Sequence, residues 1–315
     1  MKSIFPLGAL VLAVLLLLAA LFWLWTPDKD RAWLERRYLA SPADMLEVSG
    51  TMLHVRDSGP RDAPAVLMIH GFASSLDTWD ALARALEATH RVIRFDLPGN
   101  GLSPPDPSRN YTDARSIELV LALQDRLGLR ASSVVGHSIG GRIAWTLAAL
   151  HPERVTRLVL IAPDGFASPG FRYGEAPKVP SMFTLMRYAL PKALLRSSLE
   201  PAYADPAMVT QDLLDRYHDY LLAPGARQAL LDRMEQTVLV DPVPLLRRVR
   251  APTLLLWGEQ DAMIPIANAQ DYLAALADAR LVSIAGTGHL PQEEAAARSA
   301  KVVQEFLDAG EVGRR

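Results

Sequence analysis

The residues best suited to chemistry lie in Gly136-His137-Ser138-Ile139-Gly140-Gly141, between a short apolar run, Ser133 to Val135, and a stretch of helical character, Ile139 to Leu150. In a strand–turn–helix context, G-x-S-x-G forms a sharp turn that lifts the serine hydroxyl above a sheet edge. Standing alone, the motif reads equally as a serine capping a helix after a glycine-rich turn. A serine hydroxyl is a poor nucleophile at neutral pH, so it needs a base, and the base needs an acid to orient it. Asp261 follows one apolar run, in Trp257-Gly258-Glu259-Gln260-Asp261, and His289 follows the next, in Gly286-Thr287-Gly288-His289. In a parallel sheet the loops after the strands share one edge, so Ser138, Asp261 and His289, in that chain order, can meet there. The pattern predicts acyl transfer through a covalent intermediate on Ser138.

Other residues compete for these roles. Asp164, in Ala162-Pro163-Asp164-Gly165, follows the preceding strand and is an alternative acid. His137 adjoins the serine, but its side chain is expected to point away, and His70 reads as a turn-supporting residue. Asp96, ahead of Pro98-Gly99-Asn100-Gly101, reads as loop scaffold. The chain has no cysteine, which excludes disulfides, Cys-zinc sites and a thiol nucleophile. It also lacks H-E-x-x-H, EF-hand and Walker patterns and a G-x-G-x-x-G opening its first βα unit, so no cofactor or metal is expected. With 33 basic and 35 acidic residues the net charge is −2, which offers no basic surplus for a nucleic-acid partner.

The elements that must position this chemistry are legible as apolar runs. Met45 to Val48 and Met52 to Asp57, separated by Ser49-Gly50, predict a hairpin. Ala65 to Ile69, Val92 to Phe95, Ser133 to Val135, Leu158 to Ala162, Thr253 to Trp257 and Leu281 to Ile284 predict strands buried on both faces. Helical stretches near Thr78 to Ala88, Thr112 to Leu127, Ile139 to Leu150, Ala267 to Ala277 and Glu293 to Leu307 alternate with them. The expected fold class is α/β, a mostly parallel, doubly wound sheet. From Gly165 to about Val240 no strand is expected; prolines at 169, 177, 180, 191, 201 and 206 punctuate segments rich in Met, Leu, Phe and Tyr, which predicts an inserted helical cap. The expected division is an anchor at 1–28, a linker at 29–44, a core at 45–164 and 241–315, and the cap at 165–240.

Leu7 to Trp25 is uncharged and almost wholly apolar. As a helix it would be roughly 28 Å long, enough for a bilayer, and it lacks the small-residue cleavage site of a secretory signal. Phe22, Trp23 and Trp25 would form an interfacial belt, and Pro27 would end the helix. The expectation is a single-pass N-terminal membrane anchor. Lys29, Arg31, Arg36 and Arg37 after the span argue for one orientation and the short N-terminus with Lys2 for the other, so the side stays open. Asp30 to Leu39 reads equally as an amphipathic helix on a membrane surface or as a solvated linker.

The markers His70-Gly71-Phe72, Asp96-Leu97-Pro98-Gly99-Asn100-Gly101-Leu102-Ser103, Gly136 to Gly141, Asp261 and His289 resemble the α/β-hydrolase superfamily, in its capped esterase, lipase and monoacylglycerol-lipase-like branch. The likeness spans roughly Leu46 to Leu307. It implies Ser138, Asp261 and His289 as the triad and the backbone N–H groups of Phe72 and Ile139 as the oxyanion donors. Relatives that open epoxides or carbon–halogen bonds carry an aspartate where Ser138 stands, so those activities are set aside. The leading expectation is carboxylic-ester hydrolysis, the substrate a small-molecule or lipid ester such as a monoacylglycerol, with no obligate protein partner. Met182, Phe183 and Met186 of the cap are candidates for an acyl pocket, or equally for ordinary cap core. A carbon–carbon bond hydrolase of diketones with the same triad, and a non-hydrolytic binding protein that keeps the pocket, remain alternatives.

Overall fold

A computed structural model of the protein describes residues 5–166 and 172–309. The chain opens with helices α1 (Phe5–Leu24) and α2 (Arg31–Tyr38). Strands β1 (Met45–Val48) and β2 (Thr51–Ser58) follow as an antiparallel hairpin whose turn residues, Ser49 and Gly50, both have positive φ, 48° and 78°. That is the twist a two-residue hairpin needs. Strands β3 (Ala65–Ile69), β4 (Arg91–Phe95), β5 (Ser132–His137), β6 (Val155–Ile161), β7 (Thr253–Gly258) and β8 (Ala279–Ile284) complete an eight-stranded sheet of order β1-β2-β4-β3-β5-β6-β7-β8. β3 to β8 are mutually parallel, and the hairpin joins β4 through an antiparallel pairing of β2. From β3 the chain first moves outward to β4, then returns to the other side of β3 with β5. The strand order therefore reverses between β3 and β5, which opens a crevice above their C-terminal ends.

Helices α3 (Asp80–Leu86), α4 (Asp113–Arg126) and α5 (Ile139–Leu150) lie between the early strands. In the cap are α6 (Lys192–Leu199), α7 (Gln211–Leu221) and α8 (Ala226–Gln236), after which come α9 (Val243–Leu246), α10 (Asn268–Ala275), α11 (Pro291–Glu294) and α12 (Ala296–Asp308). Alternation along β3 divides the core: Leu67 and Ile69 join Ile143, Leu147 and Trp257 on one face, while Val66 and Met68 join Trp79, Leu86 and Phe306 on the other. Both faces are covered, which is why these strands read as continuous apolar runs. β6 begins at Val155, ahead of the apolar run at Leu158, because its ladder to β5 continues through an irregularity between Ser132 and Val134. The stretch expected as one helix from Glu293 to Leu307 is split at Ala295, whose φ of −128° is not helical. α11 thereby turns Glu293 and Glu294 toward the cap, where Glu293 accepts from Tyr203 and Glu294 from the N–H of Ala204.

The expected membrane anchor requires correction. Among the described residues no helix is long and apolar enough to cross a membrane. The transmembrane segment and the membrane localisation drawn from it are withdrawn; Lys2, used for orientation, lies outside the described residues, as does Pro169 of the cap. Trp25, expected in an interfacial belt, stacks on Tyr188 of the cap at 5.9 Å.

Residues 26–38 are strapped to the cap. The N–H of Thr26 donates to Tyr188 and that of Lys29 to Leu222, at 2.9 and 2.7 Å. Asp28 pairs with Arg227 and Lys29 with Asp219, each at 2.6 Å. Leu34 of α2 is 0% exposed and packs with Leu102, Tyr220, Ala223 and Ala226. Arg227 is buried and also donates to the carbonyl of Met186, so its loss strands several acceptors. Arg227→Met should lower unfolding stability by about 1–3 kcal/mol; an unchanged denaturation midpoint would show that the strap adds nothing to stability.

Candidate active site

Ser138 is the first residue after β5, and its backbone, φ 54° and ψ −120°, lies in a region that L-residues rarely occupy. Such a conformation costs of order 1–3 kcal/mol and persists only where neighbours enforce it. Here the Ser138 N–H donates to Ile161 at 3.0 Å, and its carbonyl accepts from Asp164 at 3.0 Å and Arg142 at 3.1 Å. The turn also needs bare backbone on either side. A Cβ on Gly136 would lie 2.3 Å from the Gly140 carbonyl oxygen, and one on Gly140 would lie 2.2 Å from that of Ile69. The serine is thus held at the crest of the turn, over the crevice between β3 and β5.

Asp261 and His289 arrive from the loops after β7 and β8. Asp261 Oδ1 accepts the N–H groups of Met263 and Ile264 at 2.9 and 2.8 Å. Its Oδ2 accepts from His289 Nδ1 at 2.8 Å. A carboxylate only accepts, so Nδ1 carries the proton and Nε2 keeps the lone pair, the tautomer a base requires. Both side chains are buried. Among the described residues Ser138 Oγ makes no hydrogen bond; in unliganded sites such contacts are commonly long or poorly aligned.

Asp164 stands apart from this dyad. Arg142 pairs with it on one side and with Asp113, at 2.9 Å, on the other. Burial above all pushes the Asp164 carboxyl up, against the opposing pull of Arg142. Arg142, the fourth residue of α5, was not foreseen as a neighbour of the site; its position four residues after Ser138 is the signal that could have found it.

The N–H groups of Phe72 and Ile139 make no hydrogen bond among the described residues. Ile139 is the first residue of α5, and its N–H has no carbonyl within the helix to bond. Phe72 and Ile139 both line a cavity of about 310 Å³, the small end of the range for ligand pockets. Its other walls are mostly apolar: Pro177, Val179 and Pro180 from the cap's first segment, and Met234 and Leu239 from the end of α8 and beyond. Asp164 and Lys178 are its charged members. Met182, Phe183 and Met186 do not line it. Met182 is 71% exposed, Phe183 is also exposed, and Met186 packs against the cap's own cluster of Leu190, Leu214 and Tyr217.

Beneath the crevice, His54 bonds Asp96 at 2.7 Å, and Asp96 also accepts the N–H groups of Leu76 and Leu102 at 2.7 and 2.9 Å. Burial raises the cost of the Asp96 charge, but His54 and these donors outweigh it and hold the carboxyl below its ordinary range. His70 Nδ1 donates to the Gly71 carbonyl at 2.7 Å, and its Nε2 accepts the Leu97 N–H at 2.9 Å. Burial pulls His70 down, and burial followed by the neighbouring His289 pulls His137 well down. Both rings therefore stay neutral while unfolded histidines, with pKa about 6.5, take up protons. The unfolded chain then binds more protons, so stability should hold above about pH 7 and fall as pH drops through 6.5, by up to about 1.4 kcal/mol per pH unit per histidine. Chemical denaturation at stepped pH would measure this; a flat profile from pH 7 to 5 would contradict it.

Residues 64–296 match the family described as the alpha/beta hydrolase fold. A dihydrolipoyllysine-residue acetyltransferase component of the acetoin cleaving system of Pseudomonas putida is 32% identical over 83% of this chain and 68% of its own length. A 2-hydroxy-6-oxo-6-phenylhexa-2,4-dienoate hydrolase of Comamonas testosteroni is 28% identical over 83% of this chain and 93% of its own. Among solved structures, a meta-cleavage product hydrolase from Pseudomonas fluorescens IP01 superposes with a TM-score of 0.72, at 22% identity, over 85% of this chain and 99% of that one. At that identity the likeness is one of fold.

Proposed function

We propose that this chain, which belongs to the α/β-hydrolase fold family, hydrolyses the carbon–carbon bond beside a ketone in a diketone-type substrate, with Ser138 as nucleophile, His289 as base and Asp261 as the acid that orients it. The observation that supports the triad is the 2.8 Å bond from His289 Nδ1 to a buried Asp261, which leaves Nε2 free to serve as a base, together with a serine held at a strained turn on the same sheet edge. Support for the bond cleaved comes from the Comamonas testosteroni dienoate hydrolase, and from a second hydrolase of that organism, acting by name on 2-hydroxy-6-oxononadienedioate, that is 28% identical over 93% of its length.

In this mechanism Ser138 Oγ adds to the ketone carbon as His289 Nε2 takes its proton. The alkoxide that forms accepts from the N–H groups of Phe72 and Ile139; removing one such donor from a site of this type costs about 2.7–4 kcal/mol. Collapse breaks the carbon–carbon bond, and its electron pair passes into the second carbonyl of the departing fragment, which His289 reprotonates at carbon. Water, deprotonated by the same ring, then frees the carboxylic acid from the acyl-serine. A leaving carbanion needs that second carbonyl, so the substrate must be a diketone or its vinylogue.

Carboxylic-ester hydrolysis is the second reading, favoured by the mostly apolar cavity. It uses the same steps with an alkoxide leaving. A lipid-sized acyl group draws less support, because Met182, Phe183 and Met186 lie outside the cavity lining. Side-by-side kinetics with a 6-oxo-dienoate and a series of p-nitrophenyl esters distinguish the two. The expected result is a kcat/KM for the diketone above that of every ester by roughly tenfold or more; the reverse order makes the enzyme an esterase.

Ser138→Ala and His289→Ala should each lower kcat by roughly 10³-fold or more with folding intact, and a fluorophosphonate probe should label the wild type but not Ser138→Ala. Retained turnover in either variant removes that residue from the mechanism. A folded wild type that resists the probe supports a non-hydrolytic binding protein instead.

A further inference from the structure

We infer that His137 is a positioning residue, an imidazole spacer that fixes the loop carrying His289 at a set distance from the turn offering the Phe72 N–H; the inference rests on the triad mechanism proposed above. His137 is the last residue of β5 and is paired in the sheet with Ile161. It is therefore rooted in the sheet. Its Nε2 lies 2.9 Å from the backbone carbonyl oxygen of His289. A carbonyl only accepts, so Nε2 carries the proton and donates. The two imidazoles lie with centroids 4.6 Å apart, tilted by 54°. On its other edge the ring abuts Gly71, where a Cβ would stand 2.6 Å from His137 Nδ1. One buried side chain thus fills the space between the oxyanion turn and the base loop.

The main chain of His289 is held from two sides. Its N–H donates to Ala202 of the cap at 2.8 Å, and its carbonyl accepts from His137. The first tie runs to an inserted element and the second to the sheet. With only the first, the ring would follow any displacement of the cap. A misplacement of about 1 Å in a reacting group costs on the order of 10²-fold in rate. An imidazole suits the task because it donates without carrying charge: burial holds it neutral, and a charged ring at this distance would oppose the imidazolium that His289 becomes in each turnover. The sequence shows only a histidine preceding the serine. Its partner, 152 positions away, appears only in the fold.

Substitutions separate the spacer from general packing. The amide nitrogen of glutamine can occupy the place of Nε2, whereas that of asparagine occupies the place of Nδ1, and phenylalanine keeps the ring but donates nothing. His137→Phe and His137→Asn should lose roughly 10- to 100-fold in kcat, with KM within about twofold of the wild type, while His137→Gln recovers most of the loss. Turnover near wild type in the Phe and Asn variants, or a Gln variant no better than they are, overturns the inference. If the variants do not fold, the wild type still decides: its ¹⁵N-labelled histidines should include one Nε2–H protected from exchange, assigned to His137, and a freely exchanging proton there overturns the inference. Fluorophosphonate labelling of wild-type Ser138 tests the triad independently, so failure of the mechanism and failure of the spacer give different results.

Discussion

A non-glycine residue held at φ 54° is the constraint on which the site is built. Ser138 can stand at the crest of its turn only because β5 delivers it there, α5 leaves at once, and neither Gly136 nor Gly140 has a side chain to block the approach of the neighbouring backbone. The strain is small beside the stability that a packed parallel sheet supplies, and the three backbone hydrogen bonds around Ser138 hold it in place. From that fixed point everything else is a matter of reach. Phe72 comes from the loop after β3, Ile139 from the residue after the serine, and Asp261 and His289 from the loops after β7 and β8.

The cap does more than roof the crevice. Its first segment and the end of α8 supply most of the cavity wall. Ala202 also takes the N–H of His289, and Tyr203 and Ala204 bond the carboxylates of Glu293 and Glu294 just beyond it. The cap's position is thereby coupled to that of the base. On its outer side residues 26–38 strap it down through Asp28, Lys29 and Tyr38. A segment that read equally as a membrane-surface helix or a solvated linker is docked on the cap.

Two buried charge clusters near the site are matched by donors or by an opposite charge. Asp96 collects His54 and two backbone N–H groups, and Arg142 is shared by Asp113 and Asp164. The arrangement leaves Asp261 to His289 alone among the nearby acids. Of the two carboxylates after consecutive strands, Asp261 was the leading candidate and Asp164 the alternative, and it is Asp261 that bonds the imidazole.

The parallel sheet and the placement of Ser138, Asp261 and His289 at one edge were legible in the sequence because both depend on local patterns. A strand buried on two faces must be apolar throughout, and a tight strand–turn–helix reversal must be flanked by glycine. Strand ends such as Val155, where polar Thr156 and Arg157 continue the ladder, were less legible, since hydrogen bonding does not require apolar side chains. The expected membrane span is corrected by the described residues, where no helix is long and apolar enough to cross a membrane, and hydropathy could not show where its flank docks: Trp25 against Tyr188 is a tertiary fact. The same holds for the cavity wall, which came from residues 177–180 and 234–239 and not from the Met and Phe side chains of 182–186. Local sequence determines which residues can turn, pair and bury themselves. Which side chain faces which across a hundred residues or more, as His137 faces the carbonyl of His289, is decided only when the loops of the sheet edge and the cap are packed together.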